Sequence, residues 1–344
     1  MRVAELFEFR RFRIVEQPAK EPGPGEVQAR VHAVGICGSD LHNYLEGAVG
    51  DSPCQYPMVL GHEPAGTVVK VGPGVTGWAP GDRVALEPAI YCYHCHYCLT
   101  VHHNVCARLR FLSNPGDPGF LREYVNLPAA NVLPLPAELD LGEGTLFEPL
   151  AVVLHSMKFV ALQPGETAAV FGAGPIGLLT VAVLKLSGAS RIWCVEPVAH
   201  RRELAAMLGA DAVIDPAATD PSREILAGTG QRGVDVAIDC ATKDNTINHC
   251  IRATRNAGRV VITGIPSEVL VPLEFHVLRR KEIALFNVRR SNHESEAALE
   301  LLRQYPERFR PMLTHTIPLE KIETAFRKLA NYEDGVGKII VSVS

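Results

Sequence analysis

Over roughly its first 130 residues the chain alternates apolar and polar positions in short runs punctuated by glycine and proline. Glu26–Val34 sets Val27, Ala29, Val31 and Ala33 against Gln28, Arg30 and His32, the period-two pattern of a half-buried strand. Ala65–Val71 and Asp82–Leu86 read the same way, parted by the turn-forming Gly72, Pro73 and Gly74. From about residue 150 the texture changes to apolar strands alternating with longer helical patterns. Val170, Ile192–Val195, Ala212–Ile214, Val234–Ile238 and Arg259–Thr263 mark five strands, with helices over Glu203–Leu208, Ser222–Ala227 and Thr246–Ala253. Strand and helix in strict alternation predict a doubly wound parallel sheet. A further helix at Glu294–Leu302 and a closing strand at Lys338–Val343 follow, and this tail is expected to return to the first domain.

One stretch of this pattern carries chemistry. Thr167–Phe171 reads as a buried strand, and Gly172-Ala173-Gly174-Pro175-Ile176-Gly177 is a complete G-x-G-x-x-G opening a helix that Gly188 ends. The first glycine permits the tight turn, the second lets backbone approach a pyrophosphate, and the third lets helix pack on sheet. The phosphates then sit at a helix N-terminus, where free N–H groups and the macrodipole favour negative charge. Glu196 follows the next strand, where an acid accepts hydrogen bonds from a ribose diol. Gly172, Gly174, Pro175, Ile176, Gly177, Glu196 and Arg201 are therefore the candidate dinucleotide contacts. A carboxylate at 196 repels a 2′-phosphate and favours NAD, although His200, Arg201 and Arg202 could hold that phosphate if Glu196 turned away.

Length and charge narrow the reading. The 344 residues suit two domains, and 47% apolar with 21% charged residues is a globular composition. A net charge of −4 offers no footprint for nucleic acid, and no apolar run is long enough for a spanning helix, so neither nucleic acid nor membrane is an expected partner. The N-terminal residues lack a signal-peptide core, which predicts a cytoplasmic protein.

Nine cysteines in such a chain point to metal where they cluster. Cys92, Cys95, Cys98 and Cys106 form C-x2-C-x2-C-x7-C, the ligand set of one closed, structural zinc. An empty lobe, or replacement of a thiolate by His94, His96, His102 or His103, is the alternative. A second constellation is dispersed: Cys37 within Gly35-Ile36-Cys37-Gly38-Ser39-Asp40-Leu41-His42, then Gly61-His62-Glu63, then Phe147-Glu148-Pro149. Each residue alone reads equally well as packing or surface. Together, ahead of a dinucleotide fold, they suit a catalytic zinc that keeps one position open.

These motifs, with the Gly81-Asp82-Arg83-Val84 turn and Glu148-Pro149-Leu150, resemble zinc-dependent medium-chain dehydrogenases over essentially the whole chain, and most of all their sorbitol (polyol) branch. The resemblance implies an α/β architecture. A GroES-like, partly open β-barrel catalytic domain (residues 1–150 and 289–344) would be interrupted by a Rossmann NAD-binding domain (residues 151–288). It implies that Cys37, His62 and Glu63 ligate the catalytic zinc, with Glu148 holding the zinc-bound water or approaching the metal. Asp40 would orient the histidine, and Ser39 and His42 would relay the alcohol proton. Phe111 would wall the pocket and Arg289 would hydrogen-bond a polyhydroxy substrate or the cofactor. Val288 and Arg290 replace the aromatics that flank this arginine in the family, and Asn43 stands beside Tyr44 where a tyrosine is usual. The implied reaction is reversible oxidation of a secondary alcohol on a polyol or sugar, with NAD as hydride acceptor and two zincs per chain. L-Threonine or a simple secondary alcohol is the rival substrate, and a non-catalytic redox sensor the remote one. The family also pairs edges such as Val269–Leu273 into homodimers and homotetramers; a covered edge strand is the plainer reading of that segment.

Overall fold

The computed structural model describes residues 1–343 and divides into two compact units. The first comprises Met1–Ala151, Ser291–Pro306 and the chain from Leu313 on; the second comprises Val152–Arg290 and Glu307–Met312.

In the first unit the central strand is Glu26–Gly35. It pairs along one edge with Glu63–Val71, which continues through Arg83–Leu86 to Val132–Pro134. Along its other edge lie Tyr124–Pro128 and then Lys338–Ser342, which carries Leu313–Pro318 in parallel. Gly35 thus stands opposite Glu63 on one side and Ile340 on the other. The alternation at 26–34 is tighter than half-burial: Val27, Gln28 and Ala29 are all buried. The Gln28 amide is satisfied by the Lys20 carbonyl at 2.6 Å and Asn126 Oδ1 at 3.2 Å, so its polarity does not mark a wet face. The core joins Val31, Val34, Leu60, Leu86 and Phe120 to Phe326 and Ile339 from the tail.

The second unit holds six parallel strands. Numbered along the chain as Thr167–Phe171, Arg191–Val195, Ala212–Ile214, Val234–Asp239, Thr254–Ile262 and Ala284–Asn287, they lie in the order 3-2-1-4-5-6. The order reverses between the first and fourth strands, and ligands of such sheets bind at the carboxyl ends of the strands at that switch. Five of the strands are those the pattern predicts. The sixth is only partly buried and too short for a periodic signal. It, and not Val269–Leu273, is the sheet's last strand; that segment forms no strand, and Val269 and Leu270 are 73% and 86% exposed. Among the described residues no helix is long and apolar enough to cross a membrane.

Candidate active site

Cys37, His62 and Glu63 meet in the first unit, one ligand atom from each lying within 4.8 Å of the others. Local rules bring them there. Cys37 caps the helix Gly38–Glu46, and Asp40 at its third position reaches back to accept the Cys37 N–H at 3.1 Å. Strand pairing of Gly35 with Glu63 then sets His62 and Glu63 beside that helix start. Asp40 is 1% exposed and also accepts from Gly61 N–H and Ser113 Oγ, both at 3.1 Å. Its Oδ1 faces His62 Nδ1 at 3.4 Å, which turns Nε2 toward the cluster. Phe111 packs on the His62 ring, centroids 5.3 Å apart.

The electrostatics are those of a site awaiting a cation. Burial disfavours the Asp40 carboxylate, yet His62 and the Cys37 and Gly61 N–H groups hold it below the usual range. Burial likewise opposes an imidazolium at His62, but Asp40 and Cys37 raise it well above the ordinary value. A metal ion at the cluster would compete with protonation of His62. Both Glu63 carboxylate oxygens are buried without a hydrogen-bond partner, Oε2 lying in ion-pair contact with Lys338. An orphaned carboxylate oxygen beside a thiol and an imidazole fits zinc, whose ligands are S, N and O donors.

The other expected residues are distributed as follows. Glu148 lies buried in the first turn of the helix Phe147–Val160, and its carboxylate is outside the three-residue cluster among the described residues. Burial, with Glu63 and Glu87 adding like charge against His62 and Lys338, pushes it up to about 8. Ser39 Oγ stands 3.5 Å from His62 Nε2. His42 Nδ1 is 2.9 Å from Glu46 Oε1, one turn along the same helix. Tyr44 turns into the core against Phe12 and Phe326, and Asn43 receives the Cys54 thiol at 3.1 Å. Arg289 is exposed just beyond the last strand of the second unit.

The cysteine lobe assembles through sulfur alone. Cys92 Sγ lies 3.9 Å from Cys98 and 3.5 Å from Cys106, and Cys95 Sγ lies 3.9 Å from Cys106. Zinc–sulfur arms of about 2.3 Å give a tetrahedron with edges of about 3.8 Å, so the four thiols match that ion. Backbone N–H groups of Cys98 and Ala107 lower Cys95 to about 6. The four-sulfur cluster includes none of His94, His96, His102 or His103 among the described residues; His94 faces Arg108 at 2.9 Å, His102 faces Thr100 at 3.2 Å and His103 faces His293 at 2.8 Å.

In the second unit the glycine loop leaves the first strand at the switch point. Gly172 has φ 94°, which favours glycine, and a side chain at Gly177 would overlap the Gly172 carbonyl. At Gly174, which caps the helix Pro175–Leu186, a side chain would meet no protein atom. That open space is what a pyrophosphate needs, so the loop fits a dinucleotide. Glu196 is 5% exposed, its Oε2 accepting from Ala173 N–H at 2.7 Å and Oε1 from Val198 N–H at 3.0 Å. Arg202 donates to the Glu196 and Pro197 carbonyls and pairs with Asp215 at 3.1 Å, while Arg201 is buried.

Two residues that sequence reasoning missed belong to the metal cluster. Ser113 supports Asp40, and Lys338 pairs with Glu63. Neither sits in a motif, and both arrive through chain pairing remote in sequence.

Comparison with known proteins agrees with this geometry. Residues 23–137 match the alcohol dehydrogenase GroES-like domain and residues 175–304 the zinc-binding dehydrogenase domain. The chain is 37% identical to a sorbitol dehydrogenase of Gallus gallus, over 91% of its own length and 89% of the relative's. It is 32% identical to a sorbitol dehydrogenase of Bacillus subtilis (strain 168), over 99% and 97%. The crystal structure of 2R,3R-butanediol dehydrogenase from Bacillus subtilis superposes with a TM-score of 0.88 at 33% identity, covering 100% of this chain and 99% of the other. With these matches, and with a Cys37–His62–Glu63 cluster that could hold a metal ion on the same chain, the protein belongs to the zinc-dependent medium-chain alcohol dehydrogenase family.

Proposed function

We propose that the protein is an NAD-linked polyol dehydrogenase that oxidises a secondary hydroxyl to a ketone. The observation that carries this is the Cys37–His62–Glu63 cluster, its Glu63 oxygens buried without hydrogen-bond partners, on a chain that also holds an open dinucleotide loop. In this reading the first unit is the catalytic domain and the second the dinucleotide domain. A zinc held there would supply Lewis acidity toward the substrate hydroxyl, and a bound NAD would serve as acceptor for the hydride of the hydroxyl-bearing carbon. The products are ketone, NADH and one proton.

The chain's own residues do the rest. Cys37, His62 and Glu63 hold the metal, and Cys92, Cys95, Cys98 and Cys106 hold a second zinc that only braces the lobe. Asp40 fixes the His62 ring, and Phe111 closes one side of it and excludes water. Ser39 and His42 pass the hydroxyl proton outward; Glu46 engages His42 at Nδ1, which leaves Nε2 for the proton. Glu148 offers a carboxyl in place of a further metal ligand, and Arg289 a donor for substrate hydroxyls or the cofactor. Gly172, Gly174, Pro175, Ile176 and Gly177 receive the pyrophosphate. Glu196 faces the ribose, and Arg201 flanks it.

NAD is favoured over NADP because Glu196 places a buried acid at the ribose position while Arg202 is committed to two carbonyls and Asp215. A polyol is favoured by relatives named for sorbitol and butanediol. The departures at Val288 and Arg290 weigh against sorbitol itself. Exposed apolar Val269, Leu270 and Phe275, close together in sequence, suit a homodimer or homotetramer, and nine free cysteines suit the reducing cytoplasm. The test is NADH formation by zinc-loaded protein over sorbitol, xylitol, butanediol, simple secondary alcohols and L-threonine, each with NAD and NADP. An NAD-linked signal on polyols or vicinal diols is expected. A signal confined to threonine or to NADP would overturn the substrate or cofactor assignment.

A further inference from the structure

Lys338 is 1% exposed, one of the few charged residues so completely buried in this protein. Its stem rises from the closing strand Lys338–Ser342 and its ammonium donates to the Ile36 carbonyl at 2.9 Å. The same ammonium makes an ion pair with Glu63 Oε2, and both side chains are 0% exposed. The space for this pair comes from Gly35: a side chain there would overlap Glu63 Oε2 and approach Lys338 Cε to 3.0 Å. Three strands from distant parts of the chain therefore converge on one carboxylate, in a register fixed by the pairing of Gly35 with Glu63 and with Ile340.

The two oxygens of Glu63 are unequal in this arrangement. Oε2 is the oxygen in the ion pair with the ammonium, and both oxygens are buried without a partner in hydrogen-bond geometry. A carboxylate free at both oxygens can chelate a metal through both and fill two positions. We propose that Lys338 is a positioning residue that restrains Glu63 to ligation through Oε1 alone, so that the metal keeps a position open for the substrate hydroxyl. Lys338 also sets a positive charge beside the cluster that opposes metal binding. This inference rests on the Cys37–His62–Glu63 cluster being the metal site of the proposed function.

The roles separate in cobalt-substituted protein, because four-coordinate cobalt(II) absorbs severalfold more strongly in the visible than five-coordinate cobalt(II). The spectrum is taken as a difference against Cys37→Ser, which leaves the cysteine lobe intact. Wild type is expected to show the intense four-coordinate band. Lys338→Met, of similar length but uncharged, is expected to show the weaker band and to bind the metal at least about fivefold more tightly by chelator competition. Its kcat should fall by about tenfold or more, and Lys338→Arg should restore both band and turnover. A purely structural role for Lys338 gives the opposite sign, since a loosened site binds metal more weakly. Lys338→Gln, which can still donate to the Ile36 carbonyl, takes the same measurements should the methionine variant not fold. A neutral variant with the wild-type band, or with weaker metal binding, overturns the proposal. Absence of any difference band in wild type overturns the metal-site reading beneath it.

Discussion

Asp40→Asn changes one oxygen to an NH2 group in a carboxylate that has no slack. Asp40 accepts from Cys37 N–H, Gly61 N–H and Ser113 Oγ, each at 3.1 Å, and faces His62 Nδ1 at 3.4 Å. An asparagine keeps the volume but has one acceptor oxygen. With that oxygen toward Gly61, Ser113 and His62, its NH2 meets the Cys37 N–H, donor against donor. The reverse orientation sets NH2 against three groups instead of one. Leaving one buried donor unsatisfied costs about 1–3 kcal/mol of stability. The partner that orients a histidine ligand is worth about 10–100-fold in metal affinity, or about 1.4–2.8 kcal/mol. Urea unfolding of metal-free protein reads the first quantity. Competition with a chromophoric chelator reads the second, where one zinc should be unchanged and the other weakened by that factor. Metal-free stability equal to wild type, together with a second zinc held within about twofold of wild type, would refute the role given to Asp40.

Three further outcomes are expected. Gly174→Ala should leave the melting temperature unchanged but weaken NADH binding, because a side chain there meets only the open space assigned to pyrophosphate; Gly177→Ala, which overlaps the Gly172 carbonyl, should lower both. Fluorescence titration with unaltered NADH binding in Gly174→Ala would contradict that assignment. Cys106→Ser should reduce zinc content by one ion per chain in elemental analysis and lower thermal stability, while the Cys37 site keeps its ion. Burial opposes the Asp235 carboxylate, but hydrogen bonds from Arg232, Thr167 and Arg255 prevail and depress it below its ordinary value. Its stabilising contribution is thus complete above the unfolded value of about 3.9 and is lost as pH falls through the depressed folded one. Wild type should accordingly lose stability more steeply than Asp235→Asn below about pH 4, with the variant about 1–3 kcal/mol weaker at neutral pH. Parallel acid curves for the two proteins would show that the network contributes nothing.

The sequence was most legible where its signals are local. The glycine loop, the acid at 196 and the spacing of Cys92, Cys95, Cys98 and Cys106 are set within short stretches, and the buried parallel strands carry local apolar runs such as Ala168–Phe171 and Ile192–Val195. What escaped depends on pairing across the chain. Lys338 donates to a carbonyl 302 residues away in sequence, and nothing in Lys338-Ile339-Ile340-Val341 tells a strand-opening surface lysine from one aimed at Glu63. The strand Ala284–Asn287 escaped because four residues are too few to show a periodic signal. The apolar run at 269–273 is not the covered edge strand of the plainer reading, since Val269 and Leu270 lie on the surface and the segment forms no strand. Asn292, three residues beyond Arg289, accepts from His103 N–H at 3.0 Å and donates to the Val101 carbonyl at 2.8 Å, bracing the cysteine lobe, a contact no local motif announces.

Anomalous diffraction at the zinc absorption edge, from crystals of the zinc-loaded protein, addresses the dispersed cluster most directly. Two peaks per chain are expected. One should lie among the four lobe sulfurs, the other within about 2.0–2.3 Å of Cys37 Sγ, His62 Nε2 and Glu63 Oε1. A single peak in the lobe, with the second cluster vacant at saturating zinc, would contradict the account.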